Sequence, residues 1–288
     1  MRSSLLSILR CPLDYSGDMS VTVTESAEGR AVFGTLKCPD CGTQYPIEHG
    51  IPRLLPSELS TPESAGESLP EVDWPGHELE SKRMEMKARD EQADDYDRMW
   101  WLNLFSMVEV PAMLMHLYLR SSHTLLEAGC GTGRMTRQFA GRCDSLIGMD
   151  YSWESLLACK RKLEKSGVVN VDLVQADICR LPFRSESFDR VVSCQVLEHV
   201  PTPESRSAAV EELARVAKSG GNVALSAYQY SVLMRLFGEK EGHHEGGIYF
   251  YRFTRDELRH LLSRHMKVES ITGALVYHYI ARCRKGEA

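Results

Sequence analysis

Apolar and polar positions change their period several times along the chain, and each change marks an element. Short apolar runs at 124–128, 145–149, 170–175, 189–194 and 222–227 read as strands buried on both faces. Between and after them, 134–141, 152–166, 204–217 and 254–264 carry apolar residues at helical spacing. Strand and helix in alternation predict a parallel sheet with helices on both faces, and 266–282 adds two final strands. Thr254 and Glu257 have the spacing of a capping box that opens the last helix. Upstream the pattern differs. Residues 19–24 alternate, a turn follows near Glu28-Gly29, and 31–37 form a second strand, which makes a hairpin. Residues 77–97 are charged and helix-permissive. The apolar stretch 99–119 is interrupted by Pro111, which predicts a helix on either side. The expected organisation is a small β-rich module over 1–56, a Ser/Pro/Glu/Gly-rich linker over 57–77, and an α/β domain over 78–288 that begins with N-terminal helices.

Composition narrows this picture in three ways. A 43% hydrophobic share in 288 residues is ample for a core, and no apolar run reaches the roughly 18 residues of a membrane span. The short apolar start lies between Arg2 and Arg10, a poor match to a signal peptide. Nine cysteines, an odd number, fit a reducing compartment better than a disulfide framework, so a cytoplasmic location is expected. The net charge of −6 is uneven: 57–95 holds 12 acids against 4 bases, while 96–288 is close to neutral and lacks a dense basic run. That weighs against a large nucleic-acid substrate, since phosphate contacts dominate such binding.

The chemistry centres on Leu125-Leu126-Glu127-Ala128-Gly129-Cys130-Gly131-Thr132-Gly133-Arg134. A strand end, an acid and three glycines at alternate positions lead into a helix. Glycines let the backbone approach a ligand closely. The spacing is G-x-G-x-G rather than the pyrophosphate-binding G-x-G-x-x-G, and Glu127 suits a cation better than a phosphate. S-adenosylmethionine (SAM), with an ammonium, a sulfonium and no phosphate, fits. Asp150 ends the second strand 23 residues later, near the offset at which a βαβ unit places a ribose-binding carboxylate. Glu127, Asp150, Asp177 and Gln195 all fall at strand carboxyl ends, where ligands of such sheets bind.

These motifs resemble the class I SAM-dependent methyltransferases. The glycine run is similar to their first motif, and Phe188-Asp189 through Val196-Leu197-Glu198-His199-Val200 resembles the small-molecule branch. The likeness spans about 92–283. It implies a Rossmann-like sheet, a cofactor site made by Glu127, Gly129, Cys130, Gly131, Gly133, Asp150, Tyr151, Asp177, Ile178 and Gln195, and in-line transfer of the sulfonium methyl group. The Asp177 carboxylate would meet the adenine amino group, with Ile178 against the ring. Candidates for a base at the acceptor are His199, Tyr96 on the cap helix, and His243 in a Gly/His/aromatic insertion over 228–251 that suggests a lid.

In the first module, Cys11-Pro12-Leu13-Asp14 and Cys38-Pro39-Asp40-Cys41 flank the hairpin, as knuckles do in a zinc ribbon. Together with the opening Leu5 to Pro12 and the ending Tyr45 to Pro56, this resembles the zinc-ribbon activator domain of tRNA and protein methyltransferases. Asp14 stands where that family has a second cysteine, so Cys11, Asp14, Cys38 and Cys41 would form a Cys₃Asp site for structural zinc; a metal-free fold is the alternative. Three functions follow. They are methyl transfer to a small molecule (metabolite, lipid or natural-product intermediate), methyl transfer to RNA with the ribbon as docking module, and non-catalytic SAM binding with the ribbon contacting a partner protein.

Overall fold

The computed structural model describes residues 1–59, 78–93, 100–244, 246–274 and 277–287. In chain order, a short helix α1 (Ser3–Leu6) precedes strands β1 (Ser20–Ala27), β2 (Arg30–Lys37), β3 (Gln44–Glu48) and β4 (Ile51–Leu54). Helices α2 (Glu78–Gln92) and α3 (Trp100–Leu117) follow, then β5 (Thr124–Ala128), α4 (Thr136–Ala140), β6 (Ser145–Asp150), α5 (Trp153–Lys165) and β7 (Val171–Ala176). The chain continues as β8 (Phe188–Cys194), α6 (Pro203–Val216), β9 (Ala217–Tyr228), α7 (Val232–Phe237), β10 (Glu241–His243) and β11 (Tyr249–Tyr251). It ends with α8 (Arg255–Ser263), β12 (Lys267–Ala274) and β13 (His278–Arg284).

Eleven strands form one sheet in the order β1-β2-β3-β4-β7-β6-β5-β8-β9-β13-β12. The segment from β7 to β9 is parallel, as the sequence pattern predicts, and the two final strands, β13 and β12, close it in antiparallel fashion. The first module is continuous with this sheet: β4 runs parallel to β7, with Arg53 opposite Gln175 and Leu54 opposite Ala176. The two parts also share an apolar interior. Leu5, Leu9, Tyr45, Ile47 and Leu54 of the module belong to the same buried cluster as Val174, Ala176, Phe183 and Phe188. Each fully buried Leu or Ile stabilises the join by about 1.5–3 kcal/mol. Arg2 adds an ion pair to Asp172 at 2.5 Å.

Local chemistry accounts for the turns. Glu28 and Gly29 both have positive φ (51° and 73°), the two-residue turn whose twist matches a hairpin. Thr254 and Glu257 form the expected capping box on α8. The expected break at Pro111 does not occur, and α3 runs through it. Pro111 lies on the exposed side of α3, while Glu109, Met113 and Leu117 bury the other side at i, i+4 and i+8. The lost N–H bond therefore sits where water can replace it, and packing of the inner stripe carries the helix past the proline. Of the expected linker, 57–59 form a short 3₁₀ turn and 60–77 lie outside the described residues.

Candidate active site

A cleft opens at the carboxyl ends of β5, β6, β7 and β8, and the glycine loop forms its floor. Gly129 and Cys130 both donate their N–H to the Met149 carbonyl, at 2.8 and 2.9 Å, which ties the loop to the end of β6. Gly129 has φ +83°, and a Cβ there would lie 2.1 Å from Val196 Cγ2. Gly133, at φ +84°, would put a Cβ 2.6 Å from Cys159 Sγ. Both positions therefore demand glycine on backbone and packing grounds. The Asp150 carboxylate accepts from the Gly131 N–H at 2.8 Å and from the Ser152 N–H at 3.0 Å, so it fixes the loop and the β6–α5 turn together. Glu127 is 1% exposed, and its Oε2 has no hydrogen-bond partner. Burial pushes its carboxyl up to about 8, against the pull of Thr136 and Arg134.

Charged side chains of α2 form the roof. Lys82, Glu85, Arg89 and Gln92 project from one helix face into the cleft. Lys82 Nζ lies 2.5 Å from Asp177 Oδ2 and 2.7 Å from Glu78, all three side chains nearly fully buried. Asp90 accepts from Ser152 Oγ at 2.6 Å and from the Glu154 N–H at 3.1 Å, which pins α2 to the start of α5. Glu85 is buried beside Tyr151 and Arg89, and burial raises its carboxyl to about 7. The β10–β11 hairpin lies against this helix: a Cβ at Gly247 (φ +83°) would sit 3.2 Å from Met84 Cε, and one at Gly246 3.4 Å from Gln92 Nε2.

At the other end of the cleft, Gln195 holds a left-handed backbone (φ 58°), uncommon for a residue other than glycine and a frequent mark of functional sites. Glu109 of α3 accepts from Gln195 Nε2 at 2.7 Å, from Arg134 at 3.1 Å and from Ser226 Oγ at 2.6 Å. His199 lines the cleft, 6% exposed, with Nδ1 at 2.7 Å from the Tyr249 carbonyl. A carbonyl only accepts, so Nδ1 carries the proton and Nε2 keeps a lone pair. Burial, then the Arg89 charge, lowers the imidazole well below its usual range and keeps it neutral.

Of the residues expected to meet a cofactor, Glu127, Gly129, Cys130, Gly131, Asp150, Tyr151, Asp177, Ile178 and Gln195 line this one cleft, and Gly133 supports the loop from behind. Of the candidate bases, His199 is in the wall. His243 is exposed on β10 and meets Tyr249 edge-on (ring centroids 5.8 Å); its neighbour His244 turns inward, 6.0 Å from His199. Tyr96 lies outside the described residues.

In the first module, the ligand atoms of Cys11, Asp14, Cys38 and Cys41 all lie within 4.8 Å of one another. Three sulfurs and a carboxylate in that space fit a tetrahedral zinc ion, whose contribution would be a crosslink between the two knuckles. Each sulfur also has a hydroxyl beside it: Tyr45 at 3.3 Å from Cys11, Ser16 at 2.9 Å from Cys38 and Thr43 at 3.1 Å from Cys41.

Comparison with known proteins decides the family. Residues 126–225 match the methyltransferase domain family and residues 2–50 match the Trm112p-like protein family. The ubiquinone biosynthesis O-methyltransferase of Nitrosomonas europaea is 30% identical over 182 residues, covering 58% of this chain and 73% of that protein. The chain belongs to the SAM-dependent methyltransferase family. The tRNA (carboxymethyluridine(34)-5-O)-methyltransferase of Arabidopsis thaliana is 35% identical to this chain over 112 residues, 38% of this chain and 25% of that protein. The chain spans between about a quarter and a half of the first curated relatives it matches. The same fold occurs in a Burkholderia thailandensis 1,6-didemethyltoxoflavin-N1-methyltransferase, solved with its namesake substrate and S-adenosylhomocysteine, at a TM-score of 0.60 and 18% identity over 75% of this chain and 94% of that one.

The methyltransferase motifs do not reveal Lys82, Glu85, Arg89 or Glu109. A signal for them exists. Lys82, Glu85, Arg89 and Gln92 recur at helical spacing in a charged stretch, and Glu109 is the sole acid between Trp100 and Leu119. Among the described residues, no helix is long and apolar enough to cross a membrane.

Proposed function

We propose that this protein is a SAM-dependent methyltransferase acting on a small-molecule acceptor. The observation that carries the reading is the convergence of Glu127, Asp150, Asp177 and Gln195 on one cleft around a glycine loop that has no phosphate-binding spacing. SAM supplies an electrophilic methyl group on a sulfonium. The chain's residues bind and orient it. Glu127 has an unpartnered carboxyl for an ammonium, Asp150 presents oxygens to ribose hydroxyls, Asp177 with Ile178 suits the adenine edge and face, and Arg134 suits a carboxylate. At the acceptor end, the His199 Nε2 lone pair takes a hydrogen bond from an O–H or N–H nucleophile. Its depressed basicity makes it an orienting acceptor more than a strong base. Positioning of this kind can account for much of the acceleration in a two-reactant transfer.

A second reading, RNA as acceptor, draws on the Trm112p-like module and the tRNA-modifying relative. Incubation of the pure protein with methyl-labelled SAM and lysate from a strain lacking it separates the two. Label in the small-molecule pool supports the first reading; label in RNA replaces it. Absence of turnover, with S-adenosylhomocysteine (SAH) still bound, points to a non-catalytic SAM-binding role. Asp150→Ala controls for specific transfer.

A further inference from the structure

The route by which the first module reaches the cofactor cleft passes through one side chain. Arg53 lies on β4, opposite Gln175 across the parallel β4–β7 pair. Its Nε donates to Gln175 Oε1 at 2.8 Å, and Gln175 Nε2 donates to the Tyr151 carbonyl at 2.9 Å. The Gln175 amide can satisfy both partners in one orientation only, because a flipped amide would set NH₂ against the guanidinium and oxygen against a carbonyl. The Arg53 guanidinium also stacks over the Trp153 ring at 4.5 Å and is held from outside by Glu48 at 2.9 Å. One side chain of the module thus grips the β6–α5 turn at two points, on either side of Ser152. That turn carries Asp150 and Tyr151 into the cleft.

We propose that Arg53 is a positioning residue for cofactor binding, acting through Gln175 and Trp153 on the turn that presents Asp150 and Tyr151. This rests on the SAM-binding reading above. The module's contribution to cofactor affinity then runs through this contact and not merely through the shared apolar core. Arg53 is half-buried and the guanidinium fork is specific, so lysine can restore the bond to Gln175 but not the simultaneous bond to Glu48.

The test is calorimetric titration of the full chain with SAH, which needs no acceptor. Arg53→Ala is expected to weaken SAH about tenfold, with Arg53→Lys recovering part of the loss. Glu48→Ala removes the outer ion pair yet leaves the Arg53–Gln175 bond, so it should bind SAH as the wild type does. In a Gln175→Ala background, Arg53→Ala should cost less than it does alone, because the Gln175 route is already broken and only the Trp153 contact is left to lose. Wild-type protein that fails to bind SAH overturns the SAM reading itself. Wild-type protein that binds, with Arg53→Ala binding equally well, overturns only the role of Arg53. A Glu48→Ala loss equal to that of Arg53→Ala overturns it too, by assigning the effect to general loosening of the module. Should Arg53→Ala fail to fold, Arg53→Lys carries the test alone: SAH affinity partly lost at an unchanged melting temperature supports the proposal, and full wild-type affinity overturns it. A loss that tracks a lowered melting temperature overturns it.

Discussion

The floor and the roof of the cleft are built from different materials. The floor is largely backbone: the Gly129 and Cys130 N–H groups on the Met149 carbonyl, glycine positions that no other residue can fill, and strands whose neighbours are fixed by main-chain ladders, with one side chain, Asp150, tying the loop to the β6–α5 turn. The roof is a charged helix, held by side-chain pairs that join distant parts of the chain, Lys82 to Asp177 and Asp90 to Ser152. Main-chain bonds survive loss of a single side chain, whereas a buried ion pair does not. The floor is therefore preformed, and the roof depends on the floor for its anchors. Asp177 belongs to both, since it faces the cleft and also receives the Lys82 ammonium.

Breaking the floor should have the largest effect on binding. Asp150→Ala removes the acceptor of two N–H groups, that of Ser152 buried and that of Gly131 partly buried, each bond to a carboxylate worth about 1.5–3 kcal/mol. The expected loss of SAH affinity is about a hundredfold or more, read by calorimetry. Breaking the roof should act on a different observable. Lys82→Met leaves Asp177 and Glu78 as buried carboxylates without their cation, at a cost of about 3–5 kcal/mol. Because α2 can open locally, hydrogen exchange in α2 should accelerate while the strands β5 to β8 keep their protection. Equal acceleration in both would erase the distinction between floor and roof.

The same distinction explains what could be read from the sequence. Each parallel strand lies within a few residues of its predicted place, and the floor residues were legible because their roles are local: glycine spacing, an acid at a strand end, a fixed offset to the next acid. The roof was legible as a cap helix through the stretch that contains Arg89 and Gln92, but Lys82 and Glu85 were not, because charged residues on a helix face read as solvated until their partners are known. Which of the adjacent His243 and His244 turns inward depends on the β10–β11 pairing, which neighbouring positions in the sequence do not reveal. The continuity of β4 with β7 is a long-range pairing that no local pattern encodes. Pro111 misled for the reverse reason, since a local breaker was overruled by the buried stripe Glu109, Met113 and Leu117.

The floor also carries a proton that sharpens the contrast. Glu127 is raised by burial to about 8, so in the free protein it is protonated at neutral pH. A bound ammonium favours the carboxylate and lowers that value. Binding then releases a proton at any pH between the bound and free values, and affinity should rise with pH up to about 8, by at most about tenfold per unit. Titration of SAH at pH 6, 7 and 8, repeated in buffers of different ionisation enthalpy, reads both effects. Glu127→Gln should flatten the profile. Persistence of the slope in that variant would transfer it to Glu85, which titrates near 7 in the roof beside Arg89.

The smallest expected effect tests whether the hairpin truly supports the roof. Gly247 sits at φ +83°, where an alanine costs about 1–2 kcal/mol of backbone strain. The added Cβ would meet only Met84 Cε at 3.2 Å, the far end of a flexible and half-exposed side chain, so the clash can be relieved and the strain is the main term. Gly247→Ala should thus loosen the tip of the β10–β11 hairpin from α2 without disturbing Asp150, Glu127 or the glycine loop. A loss of SAH affinity of about two- to fivefold is expected, accompanied by faster exchange in α2 and none in β5 or β6. If the affinity drops without any change in α2, the hairpin meets the ligand directly and does not act through the helix. If α2 loosens with affinity unchanged, then the roof as a whole contributes little to holding the cofactor, and the floor suffices.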